Sequence, residues 1–116
     1  MTAKEPTTGQ VNIEEIERPI PVGKDRAGKT LWDTGDIRAY RELRGVKQTE
    51  AALRADVPQS TIALIYEAGT IQAMGADKIA AYCDAIDAVA MERAAAMAAA
   101  HENYKLRLNA RKLSQR

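Results

Sequence analysis

The sequence predicts an all-α fold, in which a small helical bundle is followed by one long C-terminal helix. Apolar residues recur at helical spacing between residues 33 and 67, where Gly45 and Pro58 mark breaks. No Gly or Pro occurs from residue 77 to residue 113, and Ala dominates that stretch. Phe is absent and 46% of the residues are apolar, so the core is expected to be modest and largely aliphatic.

Residues 1–32 are predicted to form an N-terminal arm outside the bundle. Residues 1–9 are polar and include Pro and Gly, which favours disorder. Residues 10–17 alternate weakly between apolar and polar side chains, so a short strand is the alternative to a flexible arm. Pro19 and Pro21 end that segment, because proline cannot donate a hydrogen bond to a β-ladder.

Three short helices are expected in the next segment, residues 33–87. The first begins at Asp33, a good N-cap residue, and ends at Gly45. The second is expected over residues 48–55 and the third over residues 59–67. These helices together form the predicted domain.

A fourth helix is predicted from residue 77 to residue 113, about 55 Å long if it is unbroken. Its apolar side chains recur in steps of three and four residues, which makes a heptad-like stripe. A domain this small cannot cover that stripe, so residues 88–116 are expected to pair with a second copy of the chain. The predicted dimerisation residues are Ile86, Ala90, Met97, Tyr104 and Leu108.

The most informative stretch is QTEAALRADVPQSTIALIYE, residues 48–67. Two helices joined by a short turn contact each other at fixed positions, and Ala52 is small enough for a second helix to cross it. Asp56 lies at the turn, where a residue that tolerates left-handed geometry is wanted. Pro58 falls at the start of the following helix, where its missing N–H costs nothing. The inner face is supplied by Ala51, Ala55, Val57, Ile62 and Ile65.

The segment IRAYRELRGVKQTEAALRADVPQSTIALIYEAG resembles the Xre family of Cro- and lambda-repressor-like helix-turn-helix proteins. The matching parts are RELRGV in the first helix, Gln48 opening the second and QSTI opening the third. The resemblance implies a lambda-repressor-like bundle that binds double-stranded DNA as a homodimer, with residues 59–67 in the major groove. It implies base contacts by Gln59, Ser60 and Thr61, and phosphate contacts by Gln48 and by Arg44 or Lys47. Ala63 and Leu64, on the outward side of the same helix, are also expected at the bases, and Arg41 at a phosphate. A Gln amide is suited to pair with adenine.

Several positions depart from the family pattern. Lys47 replaces the usual hydroxyl N-cap of the second helix, and Ala51 is small where a larger core residue is common. Leu64 and Tyr66 replace the Arg and Glu often found late in the third helix. Leu53 is apolar where the family is polar, and the N-terminal segment is expected to cover it. Leu64 contacts either a thymine methyl group or a protein partner.

The octapeptide GKDRAGKT, residues 23–30, matches the phosphate-loop pattern GxxxxGK[ST]. Such a loop binds nucleotides when it links a buried parallel strand to a helix, and the nearby prolines and Gly35 argue against that context. We expect a flexible basic loop instead. Its Lys24, Arg26 and Lys29 either contact DNA phosphates or belong to a solvated linker.

No enzyme activity, metal or cofactor is expected. Cys83 and His101 are single residues without metal-ligand spacing, and no nucleophile, base and orienting group can be assembled. One cysteine excludes an internal disulfide and fits a reducing compartment. With no apolar signal segment, a cytoplasmic protein with no membrane partner is expected, of bacterial, phage or plasmid origin on the family resemblance.

The function expected from these observations is a sequence-specific transcriptional regulator, a repressor, that acts as a homodimer. Residues 24–54 carry eight basic and five acidic side chains, and residues 88–116 carry six and two, which gives two local basic surfaces. One alternative is an antitoxin with the same helix-turn-helix, whose residues 1–30 wrap a toxin. Another is a helical adaptor without DNA binding, which the acidic excess of residues 34–87 favours.

Overall fold

The computed structural model of the chain describes residues 18–67 and 69–114. Its elements, in chain order, are β1 (Gly23–Lys24), β2 (Thr30–Asp33), α1 (Thr34–Leu43), α2 (Gln48–Arg54), α3 (Gln59–Tyr66), β3 (Ile71–Ala73) and α4 (Ala76–Ser114). The fold is mostly helical, and the four predicted helices are confirmed with their ends within about two residues of the predicted ones.

A small antiparallel sheet corrects the all-α prediction. β2 is its central strand, with β1 on one side and β3 on the other, so that Leu31 lies opposite both Gly23 and Ala73. The domain boundary expected at residue 32 falls inside β2, which means that residues 23–32 belong to the folded domain. The strand predicted at residues 10–17 lies outside the described residues.

The segment predicted to be a flexible basic loop is a tight turn between β1 and β2. The Asp25 carboxylate accepts hydrogen bonds from the backbone N–H groups of Ala27 at 3.0 Å and Lys29 at 2.8 Å. Gly28 has a φ of +86°, which a residue without Cβ adopts readily, and its N–H donates to the Asp25 carbonyl at 3.0 Å. The octapeptide therefore forms an antiparallel hairpin, and it does not link a parallel strand to a helix.

Trp32 fastens the sheet to the helices. Its side chain is 4% exposed, and its Nε1 donates to the Met74 carbonyl oxygen at 2.8 Å. The Thr30 hydroxyl donates to the same oxygen at 2.6 Å. A buried indole N–H needs an acceptor, so these bonds fix the sheet against the start of α4.

Thr34 joins the start of α1 to the loop that follows α3. Its buried hydroxyl lies within hydrogen-bonding distance of the Glu67 carbonyl oxygen, and it accepts from the Thr70 N–H at 3.0 Å. The Asp33 carboxylate caps the same helix by accepting from the Gly35 N–H at 2.9 Å. The start of α1 is thereby held to both β2 and β3.

The long helix α4 contributes to the core with its first part and then leaves the domain. The core consists of Trp32, Ile37, Tyr40, Val46, Ala51, Ile62, Ile65, Met74, Ile79, Tyr82, Cys83 and Ile86. Residues 91–114 are exposed at every position, which corresponds to roughly 36 Å of projecting helix. Ion pairs between Arg54 and Glu92 (2.5 Å) and between Glu50 and Arg93 tie α2 to α4 where the helix leaves. None of the described helices has the length and hydrophobicity needed to span a bilayer.

Candidate nucleic-acid interface

The two helices of the candidate interface, α2 and α3, are joined by a four-residue turn, Ala55 to Pro58. Pro58 is the N-cap of α3, and its carbonyl accepts the Thr61 N–H at 3.0 Å. The expected left-handed geometry at Asp56 is wrong, since no non-Gly residue in the described ranges has a positive φ. Extended backbone at Ala55 and Pro58 reverses the chain instead.

One face of α3 packs into the domain and the other faces outwards. The residues expected at DNA base edges divide between the two faces: Gln59, Ser60 and Ala63 are exposed, Leu64 is half-buried and Thr61 is buried. Thr61 is 8% exposed and lies with Ile62 and Ile65 on the inner face, so it belongs to the packing of α3 and not to its outer surface. The outer surface of α3 therefore consists of Gln59, Ser60, Ala63 and, at the end of the helix, Tyr66, with Leu64 at its edge.

Arg44, one of the expected phosphate-binding residues, points into the protein. Its side chain is 7% exposed, and its Nε lies 2.9 Å from a carboxylate oxygen of Asp87. The guanidinium group also stacks on the Tyr40 ring, 3.8 Å from the ring centroid. Because its guanidinium group is buried in these contacts, Arg44 is not available to contact a phosphate at the surface.

Arg41 and Gln48 lie in a small cleft at the start of α2. The cleft has a volume of about 110 Å³ and is lined by Arg38, Arg41, Gln48, Ile65 and Tyr66. Arg41 is largely buried and donates to the Val46 carbonyl oxygen at 2.7 Å. Two guanidinium groups and one amide around the cleft can bind a phosphate. The Glu42 carboxylate already pairs with both arginines, at 3.2 Å from Arg38 and 3.9 Å from Arg41, so a phosphate would compete with it.

Lys47 stands next to this cleft as the N-cap of α2, and its side chain is exposed. Its backbone N–H donates to the Glu50 carboxylate at 2.9 Å, which is one half of a capping box. The other half cannot form, because an ammonium group has no acceptor. Hydrogen bonds from Arg93 and from the Lys47 backbone hold the pKa of Glu50 below its ordinary value.

The β1–β2 hairpin lies beside the start of α3. Lys29 from the hairpin, Ser60 and Leu64 from α3, and Lys78 from α4 line one open groove of about 390 Å³. Lys24 and Arg26 are exposed on the same hairpin. The sequence pointed to the hairpin cations but not to Lys78, because only the pairing of β2 with β3 brings the start of α4 next to Lys29.

The predicted dimerisation residues fall into two groups, one packed in the domain and one exposed on the projecting part of α4. Ile86 is fully buried in the chain's own core, so it has no surface to offer a second copy. Ala90 packs partly against that core. Met97, Tyr104 and Leu108 are exposed on the projecting part of α4. Only these last three residues are placed where a second chain can contact them.

Leu53 is the most exposed large apolar side chain of the described residues, at 89%. It lies on α2, on the side away from the buried Ala51. The described part of the N-terminal segment, residues 18–32, does not cover Leu53, and the rest of the segment lies outside the described residues.

Comparisons of the chain with family models, with curated proteins and with solved structures find no match.

Proposed function

We propose that this protein is a sequence-specific DNA-binding transcriptional regulator that acts as a repressor and as a homodimer. The observation that carries the proposal is the pair of α2 and α3. These two short helices are joined by a four-residue turn, and the second is fastened by one face while Gln59, Ser60 and Ala63 face outwards. A helix presented in this way fits the major groove of B-DNA.

Gln59 is the residue proposed to recognise a base. Its amide can donate and accept at the same time, which allows two hydrogen bonds to adenine. Ser60 can donate to or accept from a neighbouring base, and Ala63 with Leu64 offers apolar contact to a thymine methyl group. The helix that carries these residues contains no acidic side chain, so it brings no charge that the phosphates would repel.

The phosphate contacts proposed for this helix pair are Lys47, Gln48 and Arg41. They surround the start of α2, which is the end of that helix with a partial positive charge. Such contacts contribute salt-dependent affinity and fix the protein on the duplex, but they carry no sequence information.

The homodimer is proposed to form through the projecting part of α4. Met97, Tyr104 and Leu108 lie on one side of the projecting part of α4, beyond the ion pairs that Glu92 and Arg93 form with α2. Pairing two such helices buries these side chains and holds two α3 helices for two half-sites of a two-fold operator.

The test is a fluorescence-anisotropy titration with the DNA upstream of the protein's own gene and with a scrambled duplex, across a salt series. We expect tight binding to the upstream DNA and weaker, more salt-dependent binding to the scrambled duplex. Gln59→Ala is expected to weaken binding to the upstream DNA about tenfold and to leave the scrambled duplex unaffected. Asn109→Ala, which removes an exposed amide from α4, is the matched control. Absence of binding to both duplexes at moderate salt would contradict the proposal.

The exposure of Leu53 favours a second candidate, a function that includes a protein partner. Leu53 is 89% exposed on α2, and burying it against a partner protein would remove its apolar surface from water. An antitoxin and a helical adaptor both fit this observation. Co-expression with the product of a neighbouring gene distinguishes them from a simple repressor, since the complex should form with the wild-type chain and not with Leu53→Lys.

A further inference from the structure

We propose that the β1–β2 hairpin, residues 23–33, is a second DNA-contacting element, and that the groove between it and α3 holds one sugar–phosphate strand. In this arrangement Lys29 of the hairpin and Lys78 of α4, which both line the groove, contact the phosphates. The inference rests on the proposed function and adds a contact site that the family resemblance does not imply.

The position of the groove follows from the sheet. β2 pairs with β3, and the Met74 N–H donates to the Thr30 carbonyl oxygen at 3.0 Å. This pairing fixes the end of the hairpin next to the first turn of α4, which carries Lys78. Because Ser60 and Leu64 of α3 line the same groove, a strand lying in it also passes the outward side chains of α3.

The composition of the groove suits a sugar–phosphate backbone. Its two ammonium groups can pair with phosphates, while Pro58, Leu64 and Ala73 provide apolar surface for the sugar edges. Asp77 also lines the groove, and its carboxylate is 3.6 Å from the Lys78 ammonium group. The groove extends alongside the face of α3 proposed to enter the major groove, so one duplex can occupy both.

The three cations of the hairpin are not held in ion pairs with carboxylates of the described residues. Lys24, Arg26 and Lys29 form no ion pair within residues 18–67 and 69–114. The neighbouring Asp25 directs its carboxylate to the backbone of the turn, through the N–H groups of Ala27 and Lys29. The turn is therefore formed before DNA binds, and little entropy is lost in ordering it.

The experiment measures how the affinity for a duplex of about 30 base pairs and arbitrary sequence depends on salt. The slope of log K against log salt is negative, and each phosphate contact that is lost reduces its magnitude by about one. We expect this decrease for Lys29→Ala and for Lys78→Ala, and a decrease of about two for the double variant. Lys29→Arg, which keeps the charge, should restore the slope of the wild-type chain.

Lys105→Ala is the matched control. Lys105 lies on the same helix as Lys78, about 40 Å further along it. Its side chain is similarly exposed, and it also lies near a carboxylate, that of Glu102 at 3.8 Å. The control should keep the wild-type slope, and circular dichroism with Trp32 fluorescence verifies that each variant is folded.

The outcomes separate this inference from the proposed function. If the wild-type chain binds no duplex even at low salt, the proposed function fails and the inference fails with it. If the wild-type chain binds but Lys29→Ala and Lys78→Ala keep its slope, the inference alone is overturned. A decrease in Lys105→Ala equal to that in the two groove variants also overturns it, since the effect would then come from overall charge.

Discussion

The Asp87 carboxylate on α4 accepts a hydrogen bond of 2.7 Å from the Tyr40 hydroxyl on α1. The same carboxylate pairs with Arg18 at 2.7 Å and with Arg44 at 2.9 Å. One acidic side chain therefore ties the first described residue, α1 and the residue after α1 to the long helix. This network explains why Arg44, which the family resemblance places at a phosphate, is committed to the interior.

We expect Asp87→Ala to lower the free energy of unfolding by about 2 kcal/mol, because the mostly buried guanidinium group of Arg44 loses its counter-charge. Asp84→Ala is the control. Asp84 is largely exposed and forms an ion pair only with Arg18 among the described residues, so its loss should cost less than about 1 kcal/mol. Urea denaturation at neutral pH measures both variants, and equal losses would contradict a special role for Asp87.

The stability contributed by Asp87 should depend on pH. Burial raises the pKa of Asp87, but hydrogen bonds from Arg18 and Tyr40 and the nearby positive charges outweigh it, so the pKa lies below its ordinary value. The unfolded chain therefore binds this proton more readily than the folded chain, and the contribution is complete only above the unfolded pKa of about 4. We expect the stability difference between the wild-type chain and Asp87→Asn to shrink as the pH falls from 5 to 3. A difference that stays constant over that range would show that the Asp87 charge contributes nothing.

The helices could be predicted from the sequence because each of them has local signals. Asp33 begins α1 by capping the Gly35 N–H, Gly45 follows α1 with a φ of +67°, and Pro58 begins α3. The sheet could not be predicted in the same way, since its strands are two to four residues long and show no alternating pattern. Its stability comes from contacts distant in sequence, such as the bond from Trp32 to the Met74 carbonyl.

For the candidate site, helical periodicity could predict which side chains lie on the outer face of α3, but not which of them the packing of the domain buries. Gln59 and Ser60 are exposed as expected, whereas Thr61 is turned inwards by the packing of α3. No pattern in the sequence indicates that Arg44 is buried, because its burial depends on Asp87, forty-three residues further along the chain. Long-range pairing of this kind leaves no local signal.

Cys83 should react slowly with thiol reagents while the protein is folded. Its side chain is buried, and burial raises the pKa of the thiol to about 11, so the reactive thiolate is scarce at pH 8. We expect labelling at least roughly 100-fold slower than that of an unfolded chain in urea. Ala95→Cys in a Cys83→Ser background places the thiol on the exposed part of α4, and it should react quickly without urea. Fast labelling of native Cys83 would mean that the core opens readily.

The hairpin can be tested through two variants of equal charge. Asp25→Asn keeps a carbonyl oxygen that can accept from the Ala27 and Lys29 N–H groups, whereas Asp25→Ala removes the acceptor. Both variants remove one negative charge, so electrostatics alone predicts the same small gain in DNA affinity. We expect Asp25→Ala to bind a non-specific duplex several-fold more weakly than Asp25→Asn, because its turn no longer holds Lys29 in place. Equal affinities would show that the geometry of the turn does not matter for binding.

The dimer should depend on one side of the projecting helix. Met97 and Met91 are both exposed on α4, but six residues of α-helix place them about 120° apart, and only Met97 lies in line with Tyr104 and Leu108. We expect Met97→Glu to convert the dimer to a monomer in sedimentation equilibrium, because pairing would bury two carboxylates facing each other. Met91→Glu should remain a dimer at the same concentration. If the two variants exchange these outcomes, the interface lies on the other side of α4; if both remain dimers, a surface elsewhere on the chain holds the two copies together.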